Sequence, residues 1–424
     1  MNDDLQLPKK SMQTELSVLR LIHGTPRASR IELANISGLS TAAMTGIVNS
    51  LLERQLILEE PVAATESGRK RIALALRPEL ACVAGIDLGT INLRICIADL
   101  NGSILIYREV PSEMARGRED VLSRMFALLR EMIELGKIGP CGLQGIGIGF
   151  SGVIDIGRGY ILSYPRPGQQ EQWRNIPLRD RLEQEFHVPV LLEDSVRAIA
   201  VTEKLFGIGR DFRDFVYVDV GVGVGAAIFI DGRMYRGHNG SAGEFGHMTV
   251  DEHGPICCCG SSGCLEAVAS GGAIIESVKL ALRRGVSSKI TEDPEYEIDR
   301  ITLETIADAA AQNDSLSYRC LSEAASHIGA AAADLVNLLN PATLIFGGAL
   351  FRAAPDMLIE QISATIRYRA MEKSAKEVLI QASTLTSDAG ARGAARLIAT
   401  QLIDKIYRNV TAGQAGKKKS RSGA

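Results

Sequence analysis

The chain has 424 residues, of which 46% are hydrophobic and 23% are charged, with a formal net charge of -3. This length predicts two or three domains, and the composition excludes disordered and collagen-like proteins. No stretch approaches the roughly 18 consecutive apolar residues of a membrane span, and the first residues lack the apolar core of a signal peptide. We therefore expect a cytoplasmic protein without a membrane span.

Charge is divided unevenly along the chain. Residues 1–80 carry ten basic and nine acidic side chains. Residues 81–410 carry 33 basic and 41 acidic side chains, and residues 411–424 carry four basic side chains and no acidic one. The acidic body argues against a nucleic-acid channel through it, whereas the head remains free to carry a basic patch. Residues 411–424 are predicted to form a disordered basic tail, and a solubilising role is favoured over a phosphate-binding arm.

The first 80 residues have the pattern of a winged helix-turn-helix. Apolar residues recur at helical spacing from Leu16 to Ile22, and a second short helix is predicted over 30–36, ended by Gly38. Ser40 is the predicted N-cap of a third helix. Two strands, LILEE and RIALAL, follow it and are joined by a loop with a basic run, which predicts a wing.

The third helix is interpreted as a recognition helix. One face is apolar, and the other carries small side chains that can enter a major groove, while the basic run of the wing can bind phosphates or the minor groove. The predicted DNA contacts are Ser40, Thr41, Ala42, Thr45, Asn49, Arg69, Lys70 and Arg71. A generic protein-interaction module is the weaker alternative.

The pattern changes to an α/β body after residue 81. Asp87 and Gly89 lie in a turn between two apolar strands, and a second segment, FVYVDVGVGVGAAIFIDGRMY, repeats this design. Two such halves predict a duplicated α/β architecture that closes around a cleft. Glycine-rich turns of this kind bind phosphate oxygens in many folds, but tight packing explains them equally well.

A metal-binding pattern lies between Gly240 and Ser270. One histidine and three cysteines in an H-x9-C-x-C-x4-C array satisfy the tetrahedral preference of a structural zinc ion. The predicted ligands are His247, Cys257, Cys259 and Cys264. His253 and Cys258 are competing ligands, and a buried or reactive thiol cluster without metal is the remaining alternative.

These motifs resemble those of the ROK family of bacterial sugar-responsive repressors and sugar kinases. The match covers G-x-x-G-x-A-G-E-x-G-H over 237–247 and G-H-x9-C-x-C-G-x2-G-C-x-E over 246–266. The winged head is similar to that of the repressor branch. The resemblance implies an α/β fold with an N-terminal winged helix-turn-helix and a two-lobed actin/hexokinase-like body. The expected domains are 1–80, 81–200 and 201–410, with a C-terminal helix that returns to the first lobe.

The resemblance also implies a sugar site. In the family, sugar hydroxyls bind the Asp of an N-D-A-N segment, the Glu and His of E-x-G-H, and the Glu that follows the last metal cysteine by two residues. The corresponding residues here are Asp194, Glu244, His247 and Glu266, and Glu193 is a further candidate acceptor. Carboxylates accept hydrogen bonds from vicinal hydroxyls, and a metal-bound imidazole can offer its other nitrogen.

The chain departs from the kinase pattern at both phosphate loops. D-x-G-G-T is here Asp87-Leu88-Gly89-Thr90-Ile91, although a one-residue deletion could restore the Gly-Thr pair, and the Thr of G-T-G-x-G is Val222. N-D-A-N loses both asparagines but keeps Asp194, the general base of the kinases. These losses favour a regulator over an enzyme.

We therefore predict a sugar-responsive repressor of carbohydrate metabolism genes that binds operator DNA. Its effector is predicted to be a monosaccharide or sugar phosphate that binds between the lobes of a homodimer or homotetramer and alters operator affinity. Two alternatives remain. One is an ATP-dependent sugar kinase that carries a DNA-binding head. The other is a repressor controlled by a protein partner, with a vestigial sugar pocket.

Overall fold

The computed structural model of the chain describes residues 9–62, 71–136, 138, 142–164, 172–292 and 296–421. The chain divides into two compact units. The first contains residues 1–162, 175–201 and 388–424, and the second contains residues 163–174 and 202–387. The head therefore clusters with the first sheet and the C-terminal helix in one unit.

The head contains three helices and a two-stranded antiparallel sheet. They are α1 (Lys9–Gly24), α2 (Arg30–Ser37), α3 (Thr41–Glu53), β1 (Ile57–Val62) and β2 (Arg71–Leu76). α2 begins with a capping box between Ser29 and Glu32 and ends at Gly38, whose φ is 71°. The predicted N-cap of α3 is confirmed, because the Ser40 hydroxyl accepts a hydrogen bond from the Ala43 amide at 3.2 Å.

The first unit contains a five-stranded sheet in the order β5-β4-β3-β6-β9, with β7 and β8 as a separate pair. The strands are β3 (Cys82–Leu88), β4 (Asn92–Asp99), β5 (Ile104–Pro111), β6 (Leu143–Phe150), β7 (Val153–Asp155), β8 (Tyr160–Ser163) and β9 (Val190–Asp194). The helices of this segment are α4 (Arg118–Leu135), α5 (Leu178–Phe186) and α6 (Ser195–Phe206), the last of which continues into the second unit.

The second unit contains a sheet in the order β12-β11-β10-β13-β14. Its strands are β10 (Phe215–Val220), β11 (Val224–Ile230), β12 (Arg233–Tyr235), β13 (Thr343–Gly347) and β14 (Leu379–Ala382). Its helices are α7 (Leu265–Ala269), α8 (Gly271–Arg283), α9 (Leu303–Ala311), α10 (Ser315–Leu339), α11 (Ala349–Ala353), α12 (Pro355–Arg369) and α13 (Glu372–Glu377).

Both sheets combine three antiparallel strands with two parallel ones in the same order. This confirms the predicted duplicated α/β architecture. Each unit has its own core, one built around α10 and β13 and the other around β3 and the C-terminal helix α14 (Ala389–Arg421).

Helix α14 packs closely on the first sheet. A Cβ atom at Gly85 or Gly147 would lie 1.9 Å from a carbonyl oxygen of this helix, so only glycine permits the contact. The helix continues to Arg421. The structure therefore differs from the predicted disordered tail over 411–421, where the sequence contains no proline to end the helix.

The head and the first sheet share one apolar core through α14. Leu19 and Leu33 of the head belong to the same buried cluster as Val83 of β3 and Ile398 of α14. This continuity gives the head a packed connection to the body in addition to the covalent link.

A buried guanidinium joins the head to the body. Arg396 of α14 is 2% exposed and donates to the carbonyl oxygens of Leu100 and His23. The His23 side chain is also buried and contacts the Thr400 hydroxyl at 3.0 Å. Burial and the Arg396 charge hold the pKa of His23 well below its usual value, so this imidazole is neutral at neutral pH.

We expect Arg396→Leu to lower the free energy of unfolding by about 3 kcal/mol, because two buried carbonyl oxygens lose their donor. Urea denaturation followed by circular dichroism measures this effect. Arg408→Leu is the matched control, because Arg408 lies on the same helix but is exposed, and a change below about 0.5 kcal/mol is expected there. Equal effects of the two substitutions would contradict the buried link.

A second buried contact connects α3 to α14. Glu15 of α1 accepts hydrogen bonds from the Ser50 hydroxyl of α3 at 2.8 Å and from the Tyr407 hydroxyl of α14 at 2.7 Å. Arg54 lies 3.4 Å from the same carboxylate. The end of α3 is thus held to α14 through one shared carboxylate.

Within the described ranges, no single helix has both the length and the apolar character of a membrane span. The bent pair α2 and α3 meets the length and composition criteria only when the two helices are taken together.

Candidate metal centre and DNA-binding face

A tight loop between the turn at 245–247 and α7 carries the predicted metal ligands in the second unit. A β-bridge between Thr249 and Cys264 closes it. Gly263 has a φ of +65°, and a Cβ there would lie 1.5 Å from the carbonyl oxygen of Asp251. Only glycine fits this position, so the close approach of the loop depends on it.

The loop brings the four predicted ligands together. The ligand atoms of His247, Cys257, Cys259 and Cys264 all lie within 4.8 Å of one another. Nδ1 of His247 is 3.7 Å from Sγ of Cys257, and Sγ of Cys259 is 3.7 Å from Sγ of Cys264. A tetrahedral ion with metal–sulfur bonds of about 2.3 Å separates its ligand atoms by roughly 3.7 Å. The donor set and its spacing fit such an ion.

The two competing ligands lie outside this group. His253 is exposed, and its backbone amide donates a hydrogen bond to Oδ1 of Asp251 at 3.0 Å. Sγ of Cys258 donates to Oε1 of Glu266 at 3.4 Å, and Cys258 belongs to a different cluster with Cys257 and Glu266. The geometry therefore favours His247 and Cys259 as ligands over these alternatives.

The thiols differ in acidity. Burial raises the pKa of Cys264 to about 12, and burial beside Glu266 raises that of Cys258 to about 12. A backbone hydrogen bond at Ser261 lowers the pKa of Cys259 to about 7. A metal ion binds the thiolate form, so metal affinity is expected to increase with pH.

The predicted sugar contacts of the second unit adjoin this cluster. His247 directs Nδ1 toward the thiols, while its Nε2 lies 3.9 Å from Oε2 of Glu244. The Glu244 side chain is 66% exposed. Glu266 accepts a hydrogen bond from the Val224 amide at 2.9 Å. The two carboxylates can accept hydrogen bonds from hydroxyls, whereas Nε2–H of an imidazole held by a metal through Nδ1 can donate one.

The predicted sugar contacts of the first unit lie at the end of β9. Asp194 accepts a hydrogen bond from the Arg197 amide at 3.1 Å. Glu193 is only 1% exposed, and its Oε1 lies 3.2 Å from Nη1 of Arg197. The predicted contact between Glu193 and a sugar does not fit this burial, because the carboxylate is already enclosed with a cation. Glu193 fits a role in holding the backbone of Asp194, because its Oε1 accepts a hydrogen bond from the Asp194 amide at 3.1 Å.

Arg94 of β4, which follows the first glycine loop, is a cation beside Asp87 that the sequence did not predict. Nη1 of Arg94 lies 3.1 Å from Oδ2 of Asp87, and Nε of Arg94 lies 3.1 Å from Oε1 of Glu109. Burial lowers the pKa of Arg94, but the charges of Asp87 and Glu109 outweigh burial, so the pKa is raised overall. The alternation of β4 places Arg94 opposite Asp87 in the antiparallel register, and this pairing was the missed signal.

The exposed face of α3 carries the predicted DNA contacts. Ser40, Thr41, Ala42, Thr45 and Asn49 are all exposed, whereas Met44, Val48 and Leu51 are buried on the opposite face. The Thr45 hydroxyl donates to the Thr41 carbonyl at 2.8 Å. This face has the size and polarity that a recognition helix needs in a major groove.

One basic residue beside this face, Arg30 of α2, was not predicted. Nη2 of Arg30 donates to Oδ1 of Asn49 at 3.1 Å and lies 2.9 Å from Oε1 of Glu59. Arg30 thus stands beside the exposed face of α3. The predicted wing residues Arg69 and Lys70 lie outside the described residues, and for Arg71 only the backbone at the start of β2 is described.

Comparisons with known proteins agree with this architecture. The model of the ROK family matches residues 83–401, and that of the MarR family matches residues 12–61. A xylose repressor of Caldicellulosiruptor bescii is 28% identical over 391 residues, which cover 92% of this chain and 96% of that protein.

Two solved structures extend the comparison. A ROK family transcriptional regulator, a homolog of the E. coli MLC protein, aligns with a TM-score of 0.75 and 29% identity over 95% of this chain and 98% of that one. A ROK family glucokinase from Streptomyces griseus aligns with a TM-score of 0.65 and 29% identity over 75% of this chain and 99% of that one. The regulator is thus matched over more of this chain than the kinase.

Proposed function

This chain belongs to the ROK family, and we propose that it is a sugar-responsive repressor that binds operator DNA. The observation that carries the proposal is a winged helix with an exposed, small polar recognition face, joined through a shared core to a body of this family. The similarity to a xylose repressor extends over head and body together. A regulator of this kind acts on DNA in the cytoplasm.

The proposed DNA contacts combine the face of α3 with basic groups around it. Small side chains such as Thr41 and Ala42 let the helix approach base edges, and Asn49 supplies an amide that can pair with adenine. Arg30 and the wing residues Arg69 to Arg71 are proposed to bind phosphates. Specific recognition by two heads requires a homodimer or homotetramer and half-sites about one helical turn apart.

The proposed effector is a monosaccharide or a sugar phosphate. Glu244, His247 and Glu266 are the proposed contacts in the second unit, and Asp194 remains the predicted contact in the first. The proposed metal is zinc, because one imidazole and three thiolates match its preference and leave no open coordination position. The ion would hold Nδ1 of His247 and so fix the orientation of Nε2 toward the sugar.

Hydrogen bonds within the first unit connect helix α14 of the body to the helices of the head. Arg396 and Tyr407 tie α14 to α1, and Glu15 ties α1 to α3. An effector that displaces α14 would therefore move the recognition helix. The sugar must bind two arrangements with different affinity, and a difference of about 3 kcal/mol would change operator affinity roughly 150-fold.

Selection of genomic DNA fragments by the purified protein, with and without sugars, tests the proposal. Xylose, glucose and their phosphates form the panel. We expect enrichment of a palindromic site and a change in its recovery with one sugar. If no fragment is enriched under any condition, the head is a protein-interaction module and not a DNA-binding domain. Enrichment that no sugar alters, without sugar binding by calorimetry, would favour a protein-controlled repressor.

We further propose that the chain is not a sugar kinase. Arg94 occupies the neighbourhood of Asp87, and Val222 cannot donate a hydrogen bond to a phosphate. We expect sugar-dependent ADP release at least about 1000-fold below the 1–100 per second typical of kinases. A coupled ADP assay with xylose and glucose measures it. ADP release in the native protein that disappears in Asp194→Asn would establish the kinase alternative instead.

A further inference from the structure

Cys258 stands between two candidate metal ligands but faces another group. Its Sγ donates to Oε1 of Glu266 at 3.4 Å. Among the described residues, the group of four candidate ligands contains Cys257 and Cys259 but not Cys258. The middle thiol of the C-C-C run therefore donates to a carboxylate, and it lies 3.9 Å from Sγ of Cys257 without belonging to the group of four.

The other oxygen of Glu266 is held by a different loop. Oε2 accepts a hydrogen bond from the Val224 amide at 2.9 Å, at the end of the second glycine loop. This loop lies against the E-x-G-H segment, because a Cβ at Gly246 would lie 2.2 Å from the Val224 carbonyl oxygen. The two oxygens of one carboxylate are thus fixed by two separate segments of the second unit.

We propose that Cys258 is a positioning residue for sugar recognition, which orients the Glu266 carboxylate toward sugar hydroxyls. The inference rests on the proposed sugar binding. A carboxylate offers about four acceptor positions, which is more than the contacts with Cys258 and Val224 use. A carboxylate that is already oriented loses less conformational freedom when the sugar binds.

The Cys258 thiol also links sugar recognition to the metal loop without ligating the metal. Its neighbours Cys257 and Cys259 are candidate metal ligands, so the conformation of the loop fixes where the Cys258 thiol lies. The hydrogen bond from this thiol then fixes the Glu266 carboxylate. This arrangement predicts that replacing the Cys258 thiol changes the sugar affinity of the protein while its metal content stays constant.

Calorimetry with xylose, glucose and their phosphates tests the inference on three variants of the full chain. Cys258→Ala removes the donor and is expected to weaken the affinity for the sugar that binds by about tenfold. Cys258→Ser retains a hydroxyl donor and is expected to remain closer to the native affinity than to that of Cys258→Ala. Ser262→Ala, at an exposed position of the same loop, is the matched control and is expected to match the native protein.

Metal content and the thiolate-to-metal absorption of the cobalt-substituted protein are measured in parallel. Both are expected to be the same in Cys258→Ala as in the native chain. Loss of metal or an altered spectrum would make Cys258 a ligand and overturn the inference. So would unchanged sugar affinity in Cys258→Ala, or equal weakening in Cys258→Ser. Native protein that binds none of these sugars and sugar phosphates would instead contradict the proposed sugar response, and this inference with it.

Discussion

Ala42→Glu is expected to lower operator affinity by at least about 100-fold, which corresponds to about 2.7 kcal/mol, while the fold remains intact. Ala42 is exposed in the first turn of α3, on the face that we propose enters the major groove. A glutamate there brings a negative charge and added volume toward bases and phosphates. The same charge is favourable at the N-terminal end of a helix, so the helix itself is not weakened.

Fluorescence anisotropy with a selected operator fragment, at one fixed salt concentration, measures this effect. Ala311→Glu is the matched control, because Ala311 is an exposed helical alanine of the second unit. The control is expected to bind DNA as the native protein does. If both variants bind equally well, α3 does not contact the operator. If both lose affinity equally, the loss reflects net charge and not the recognition face.

Cys259→Ser is expected to remove the metal and, with it, the sugar affinity of the protein. Cys259 is exposed, so the change disturbs little packing, and its effect reports ligation. Without the ion, Nδ1 of His247 loses its anchor and the loop to Glu266 loosens. We expect metal content to fall from about one equivalent to near zero and the melting temperature to fall by about 5 °C, from a loss of about 2 kcal/mol.

Elemental analysis, thermal denaturation and calorimetry check these results together. Cys258→Ser is the matched control, because it alters the adjacent thiol, which lies outside the group of four. It is expected to retain its metal and its melting temperature. Full sugar affinity in metal-free Cys259→Ser protein would contradict the supporting role of the ion, whereas metal loss in Cys258→Ser alone would exchange the two ligand assignments.

Local signals in the sequence were sufficient for much of the architecture. The N-cap at Ser40, the left-handed turn at Gly38 and the apolar face of α3 depend on neighbours within a few residues. The duplication of the sheets followed from two glycine-rich segments of the same design. The four candidate thiol and imidazole ligands lie within 18 consecutive positions, so a short closed loop brings them together.

The sites where single side chains differ from expectation depend on how neighbouring elements join or pair. Glu193 is enclosed with Arg197 because α6 begins directly after β9 and places Arg197, four residues later, beside the buried carboxylate. Arg94 reaches Asp87 because the antiparallel register of β3 and β4 places them opposite each other. A motif identifies such carboxylates by type, but it does not say whether a cation from another strand or the next helical turn already neutralises them.

The sequence alone determined the family resemblance, the winged helix and the set of candidate metal ligands, because each depends on residue types at fixed short spacing. Only the tertiary structure decided how the head is attached to the body. Arg396 and His23 are 373 residues apart, and Tyr407 and Glu15 are 392 residues apart. No periodicity along the chain indicates such pairs. They form because the C-terminal helix returns to the first sheet and because a buried charge must find polar partners wherever the packing places it.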